Sequence, residues 1–330
     1  MLFILALFIS LIFSQDKIMS IKELYKYITG ISLFLVGASL AHKDRRQIIS
    51  CMVISGLLIG ILAVYQYFFG FQRLLGYISR QGITDFFVLD YVSRKRVFFP
   101  FVTPNALGGY LAMIIPLTLN YKNRAWLIIP LSFALLLTRS VGALLSLFLG
   151  LIIYFYLLGR LEKRRIILLL GLLIITAVVL IVRSSTQKQH IQPIFSTIMR
   201  INYWKDTLSI IKAYPLTGVG LGNFNLIQSR YAHNSYLQIW AEMGLAGIAS
   251  IVWLTAAVFK EAIIGIKKTV NNLRPASLIS AGSIFLMHNF VDFTFFLPEI
   301  AIIWWVILGL MTPENNNIKL SGYKTSLPEM

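Results

Sequence analysis

Apolar stretches separated by short polar breaks run along almost the whole of this chain. About ten of them approach the ~20 residues that a helix needs to cross a ~30 Å hydrocarbon core. They lie at 2–14, 25–41, 47–69, 104–120, 125–138, 140–159, 165–183, 236–258, 276–292 and 298–312. The pattern predicts an all-α fold: a polytopic membrane protein with about ten transmembrane helices and one long extracytoplasmic loop containing an amphipathic helix. Residues 1–312 read as a single transmembrane catalytic domain, with 184–235 as its outer catalytic loop, and 313–330 as a polar cytoplasmic tail. The first stretch is like the apolar part of a signal peptide but lacks a basic flank before it, and is read as a short first helix.

One segment, Arg200 to Gly247, breaks the apolar monotony. At its start Ile201, Trp204, Leu208 and Ile211 fall on one side and Arg200, Lys205, Ser209 and Lys212 toward another, which is the period of an amphipathic helix. Pro215, Gly218, Gly220 and Gly222 then force a turn-rich loop. His233 and Asn234 stand just ahead of the next apolar helix.

Composition agrees with the membrane reading. The chain is 57% hydrophobic and 13% charged, against roughly 25% charged in a soluble domain, so it has too little polar sequence to cover a soluble fold. The net charge of +17 would suggest nucleic acid in a soluble protein. Here it is loop charge that sets topology, and no nucleic-acid partner is expected. The single cysteine, Cys51, excludes an intrachain disulfide.

Charge also orients the helices. The strongest basic cluster, Arg160 to Arg165, is placed in the cytoplasm, and alternation puts His42 to Arg46, Lys122 to Arg124 and Lys260 to Arg274 on the same side. Lys17 and Lys22 point the other way. Both termini come out cytoplasmic. Four less hydrophobic elements then share the outer face: loop 70–103, the tip 138–141, loop 184–235 and the turn 292–298.

Chemistry is expected on that face. Arg96 precedes Thr103-Pro104-Asn105 at a helix entry, with Thr103 or Asn105 as its cap. Guanidinium binds phosphate in bidentate fashion, so Arg96 is one phosphate candidate. Arg139, at a tip with almost no loop, is a second; it is otherwise a snorkelling side chain. Arg200 heads the amphipathic helix, which would also lie on lipid. The glycines could cradle an anion with backbone amides, but they follow no strand, so a dinucleotide site is rejected. His233 is the best candidate general base, since neutral imidazole suits that role near pH 7. Glu242 is nine residues on and is not assumed to pair with it. His288 and Asp292, four apart, would share a helix face, either as a functional pair or as a mutually satisfied packing pair. No HExxH, cysteine cluster or Asp-x-Asp pair suggests a metal, and no cofactor is expected.

These residues carry a family resemblance. Arg96 with Thr-Pro-Asn105, Leu-Thr-Arg-Ser-Val-Gly-Ala143, Arg200-x-x-x-Trp204 with Tyr-Pro-Leu-Thr-Gly-Val-Gly-Leu-Gly-Asn-Phe224, and Ala-His-Asn-Ser-Tyr-Leu-Gln-Ile-Trp-Ala-Glu-Met-Gly244 resemble, in that order, the O-antigen ligase and polymerase superfamily of bacterial membrane glycosyltransferases. The resemblance covers roughly residues 90–310. It implies a metal-independent, inverting transfer from a glycan on undecaprenyl pyrophosphate to a sugar hydroxyl, of lipid A core in a ligase or of a growing glycan in a polymerase. It places the enzyme in the bacterial inner membrane with the active site facing the periplasm. His233 would be the base, with Asn234, Glu242, His288, Asp292, Asn105 and the three glycines in support. Arg200 and a second arginine would hold the pyrophosphate. The family often has that second arginine where this chain has Val141, so Arg139 and Arg96 both stay open. A protein-directed oligosaccharyltransferase belongs to the same set. A transporter of lipid-linked sugar is the reading from another class; it would want ionisable residues and broken helices at mid-membrane.

Overall fold

The structure, a computed structural model, describes residues 1–82, 86–185, 195–227, 229–268 and 273–313. The tail assigned to the cytoplasm lies outside the described residues from 314 onward, as do residues 186–194 of the long loop. Among the described residues the chain is all helical. In order the helices are α1 Leu2–Ile12, α2 Lys17–Ser39, α3 His42–Tyr65, α4 Phe71–Gln81, α5 Phe86–Ser93, α6 Pro104–Thr118, α7 Arg124–Thr138, α8 Val141–Leu157, α9 Lys163–Ser185, α10 Phe195–Ala213, α11 Ser235–Lys268, α12 Leu273–His288 and α13 Pro298–Leu310.

Each apolar stretch of the sequence falls on a helix. By length and composition, however, only three helical stretches among the described residues could cross a membrane: His42–Gln81, Lys163–Val182 and Ser235–Ile266. Leu2–Ile12, Arg124–Thr138, Val141–Leu157 and Pro298–Leu310 are apolar but shorter. The expected count of about ten spans is not confirmed by this measure. The apolar helices also differ in what they face. In α6 every residue from Ala106 to Thr118 is buried, so it is the axis of the bundle, packed by α3, α7, α8 and α12. By contrast α9 is exposed along most of its length, as a peripheral helix would be.

The basic loops gather at one end. Arg45 donates to the carbonyls of Leu40, Ala38, Leu310 and Thr312, bolting the α2–α3 turn to the end of α13. Arg274 lies 2.8 Å from His42 Nε2. The four elements assigned to the outer face meet at the opposite end, where the site is built. The α1–α2 turn joins them: Asn223 Nδ2 donates to Ser14 Oγ and Ser20 Oγ, both at 2.9 Å. Alternation, not Lys17 and Lys22, thus gave the side of that turn.

The long loop is held to α11 by a break in that helix. Gly244 takes φ 65° and ψ −168°, a conformation that side chains avoid. The carbonyls of Ala241 and Glu242 accept instead from Val219 N and Gly220 N, each at 2.9 Å, and Leu245 N donates to Pro215 O at 2.9 Å. Gly218, at φ 69°, faces the Glu242 carbonyl so closely that a Cβ would overlap it. Gly218→Ala should therefore cost at least about 2 kcal/mol, from the left-handed backbone and the collision together. In detergent this would lower the thermal midpoint by several degrees. An unchanged midpoint would show that the loop is not braced this way.

Candidate functional site

Among the described residues three non-glycine residues have positive φ: Lys95 (48°), Arg139 (50°) and His233 (52°). Such backbone is held in place only where its surroundings over-determine it, and it concentrates at functional sites. Two of the three are residues that the sequence had singled out, and the third precedes Arg96.

His233 stands between aromatic rings. Tyr203 of α10 stacks on it, with centroids 5.7 Å apart and planes at 19°, and Phe293 meets it edge-on at 4.8 Å and 88°. Nδ1 is enclosed and has no hydrogen-bond partner among the described residues. Burial pushes the imidazole pKa down to about 4; nearby Asp292 raises it and Arg200 lowers it further. The ring is therefore neutral across the physiological range and can accept a proton. Asn234 caps α11, its Oδ1 accepting from Tyr236 N and Leu237 N at 3.0 and 3.1 Å. Ser235 then ties the helix start to the end of α12, through Asn289 Oδ1 at 2.6 Å and Asp292 O at 3.3 Å.

The three arginines separate into two kinds. Arg96 is 1% exposed. Its Nε donates to Thr138 O at 3.0 Å, its Nη2 donates to Asn105 Oδ1 at 2.9 Å, and it lies over the Tyr91 ring. It is engaged in fixing loop 94–105 to the α7–α8 tip, with Thr103 as the cap of α6. Arg139 and Arg200 are half-buried, and neither side chain has a hydrogen-bond or ion-pair partner among the described residues. Arg139 occupies the left-handed C-cap of α7, one residue from Ser140, the cap of α8.

The remaining sequence candidates are sorted by their contacts. The glycine run does not form an open anion cradle. Gly218 N, Val219 N and Gly220 N donate to Tyr214, Ala241 and Glu242 carbonyls, and Gly222 N donates to Glu242 Oε2 at 2.9 Å. Glu242 is buried and its Oε1 accepts from Gln238 Nε2 at 3.0 Å; it braces the loop rather than touching His233. His288 and Asp292 are both 1% exposed but form no ion pair. The helix ends at His288, so the four-residue spacing no longer puts the two on one face. Asp292 Oδ1 accepts from Phe293 N at 2.8 Å instead. His288 packs where a Cβ on Gly109 or Gly142 would reach its ring.

Electrostatics link several of these residues. Asp292 and Arg200 act on both His233 and His288. They act as well on Tyr91, whose pKa burial raises and Arg96 partly restores. Tyr91, Tyr203 and Phe293 were not read from the sequence. Tyr91 lies three residues before the Arg94-Lys95-Arg96 run, but nothing in that spacing showed its ring folding back under Arg96.

An all-helical bundle with long apolar helices, bearing a polar histidine and arginine site at one end, defines a helical membrane protein. Residues 126–252 match the family model described as O-antigen ligase, a span that holds Arg139, Arg200, His233 and Glu242. Over these residues the chain is similar to the O-antigen ligase family. The family and the apolar helices together point to a bacterial membrane protein. No curated protein matches the chain.

Proposed function

We propose that the chain is a glycosyltransferase of the O-antigen ligase kind, moving a glycan from undecaprenyl pyrophosphate to an acceptor sugar hydroxyl, with lipid A core as the acceptor. The site would face the periplasm from the inner membrane, in a bundle crossing about ten times, with the tail in the cytoplasm. The observation that carries this is the unpartnered, half-buried guanidinium of Arg200 acting on a desolvated, neutral His233, with the unpartnered Arg139 at the same end of the bundle.

In this reading the acceptor oxygen attacks the anomeric carbon from the face opposite the leaving group. A C–O bond forms, the bond to the pyrophosphate oxygen breaks, and the configuration inverts. His233 takes the hydroxyl proton. The pyrophosphate leaves with one more negative charge, which Arg139 and Arg200 neutralise without a metal. Arg96, committed to Thr138 and Asn105, positions Arg139 rather than touching the donor.

The transporter alternative gains one observation, the break in α11 beside buried Glu242. The break lies in the first third of the helix, at the site end, and the freed carbonyls are taken by the glycine loop. Both features serve a site at one end better than a path through the middle.

The pH dependence of transfer tests the base. With the free-enzyme histidine at about 4, kcat/KM should stay level down to about pH 5 and fall roughly tenfold per unit below 4. Bound pyrophosphate raises the histidine pKa, so the kcat profile should break at higher pH than the kcat/KM profile. A kcat/KM break near 6.5 would mean that His233 is not desolvated or is not the base.

A further inference from the structure

A histidine base is usually aimed by a hydrogen bond to its second ring nitrogen, from a carboxylate or a carbonyl. His233 has none: its Nδ1 is enclosed and without a partner among the described residues. Asp292, the carboxylate that acts on the ring, makes no hydrogen bond to it, and its Oδ1 accepts from Phe293 N at 2.8 Å.

Aromatic rings bound the imidazole instead. Tyr203 lies along one face, with centroids 5.7 Å apart and planes at 19°. Phe293 meets it at 4.8 Å and 88°, and is itself backed by Tyr231 at 4.1 Å and 9°. These are the offset-stacked and edge-to-face arrangements that aromatic pairs prefer. Set at right angles, they oppose motion of the ring in two ways. The parallel ring resists tilting, and the perpendicular one resists sliding.

Tyr203 is also tied to the rest of the chemistry. Positions 200 and 203 are three apart on α10, so Arg200 and Tyr203 are neighbours on its surface. The ring is well anchored. Tyr203 is 4% exposed and its carbonyl accepts from the buried Thr207 hydroxyl at 2.6 Å. One turn further, Ile211 packs in a cluster with Phe224, Ala232 and Ala241. Ala232 precedes His233 in the chain, so helix and histidine are fixed to the same cluster. The Tyr203 hydroxyl makes no hydrogen bond among the described residues.

We propose that Tyr203 is a positioning residue whose ring, not its hydroxyl, holds the plane of the His233 imidazole in place of the missing hydrogen bond. This rests on the reading of His233 as the base and deepens it. Docking of α10 would then set the aim of the base and the place of the Arg200 cation together.

The test compares Tyr203→Phe, which keeps the flat ring, with Tyr203→Leu, which keeps apolar bulk without a face, in the full chain in detergent. Tyr203→Met takes the place of leucine if that variant does not fold. Per folded protein, Tyr203→Phe should keep the parent kcat, and Tyr203→Leu should lower it about ten- to a hundredfold, as a misaimed catalytic group does. KM for donor and acceptor should stay the same in both. Parent kcat in the leucine variant overturns the proposal. So does equal loss in both variants, which moves the role to the hydroxyl, and so does a loss confined to KM.

A second readout needs no transfer. The chain has four histidines, so the His233 ring can be assigned in carbon-13 NMR by the signal that His233→Gln removes. Relaxation should show this ring rigid in the parent and in Tyr203→Phe, and mobile on the nanosecond scale in Tyr203→Leu. A ring as rigid in the leucine variant as in the parent overturns the proposal even if transfer falls. If the parent chain transfers nothing, the glycosyl-transfer reading fails, and the relaxation result alone decides whether Tyr203 holds the ring.

Discussion

His233→Ala should reduce glycan transfer by at least about a hundredfold, the lower part of the range for loss of a general base. Helical content and membrane insertion should be unchanged. The ring contributes contacts with Tyr203 and Phe293 but no hydrogen bond that holds the fold, and its left-handed backbone is a strain that alanine does not relieve. His233→Gln keeps hydrogen bonding at the position without a proton acceptor of the right strength, and should be as inactive as the alanine variant. Transfer at the parent rate by either variant, measured with lipid-linked donor in detergent or vesicles, would remove His233 from the chemistry.

The second large effect separates the arginines. Arg139→Ala and Arg200→Ala should each lower kcat by about a hundred- to a thousandfold, as loss of a donor to a developing oxyanion does, with little change in thermal midpoint. Lysine at either position should restore only part of the rate, because a point charge lacks the planar fork. Arg96→Ala should do the opposite in kind. It leaves the Thr138 carbonyl and Asn105 without their donor in a buried place, about 1–3 kcal/mol for each group. The thermal midpoint should drop, and activity should fall with the folded fraction. If Arg96→Ala is inactive but fully stable while Arg139→Ala is active, the assignment of the two is reversed.

Much of this was legible in the chain, for identifiable reasons. Apolar runs gave the helices because backbone groups in lipid have no other way to be satisfied. Loop charge gave the two ends because basic segments stay on one side, and it brought together elements as distant in sequence as Arg96, Arg139, Arg200 and His233. What stayed hidden depended on local geometry. The burial of α6 comes from packing, not periodicity. The face of α10 turned inward is Tyr203, Thr207 and Ile211, while Ile201 and Leu208 of the expected apolar side remain exposed. Thr207 can turn inward because its hydroxyl bonds back to the Tyr203 carbonyl. The glycine run looked like an anion cradle, but only the break at Gly244 shows where its amides go. Likewise, spacing alone left Arg96 and Arg139 equivalent, and the bonds to Thr138 and Asn105 tell them apart.

The central claim is that this chain transfers glycan rather than moving its carrier. The direct measurement uses the full chain in proteoliposomes with glycan on undecaprenyl pyrophosphate, and with lipid A core present or absent. The account predicts a product joined to lipid A core that requires the acceptor and is absent with His233→Ala. Redistribution of the intact lipid-linked glycan between leaflets, without any joined product, would contradict it.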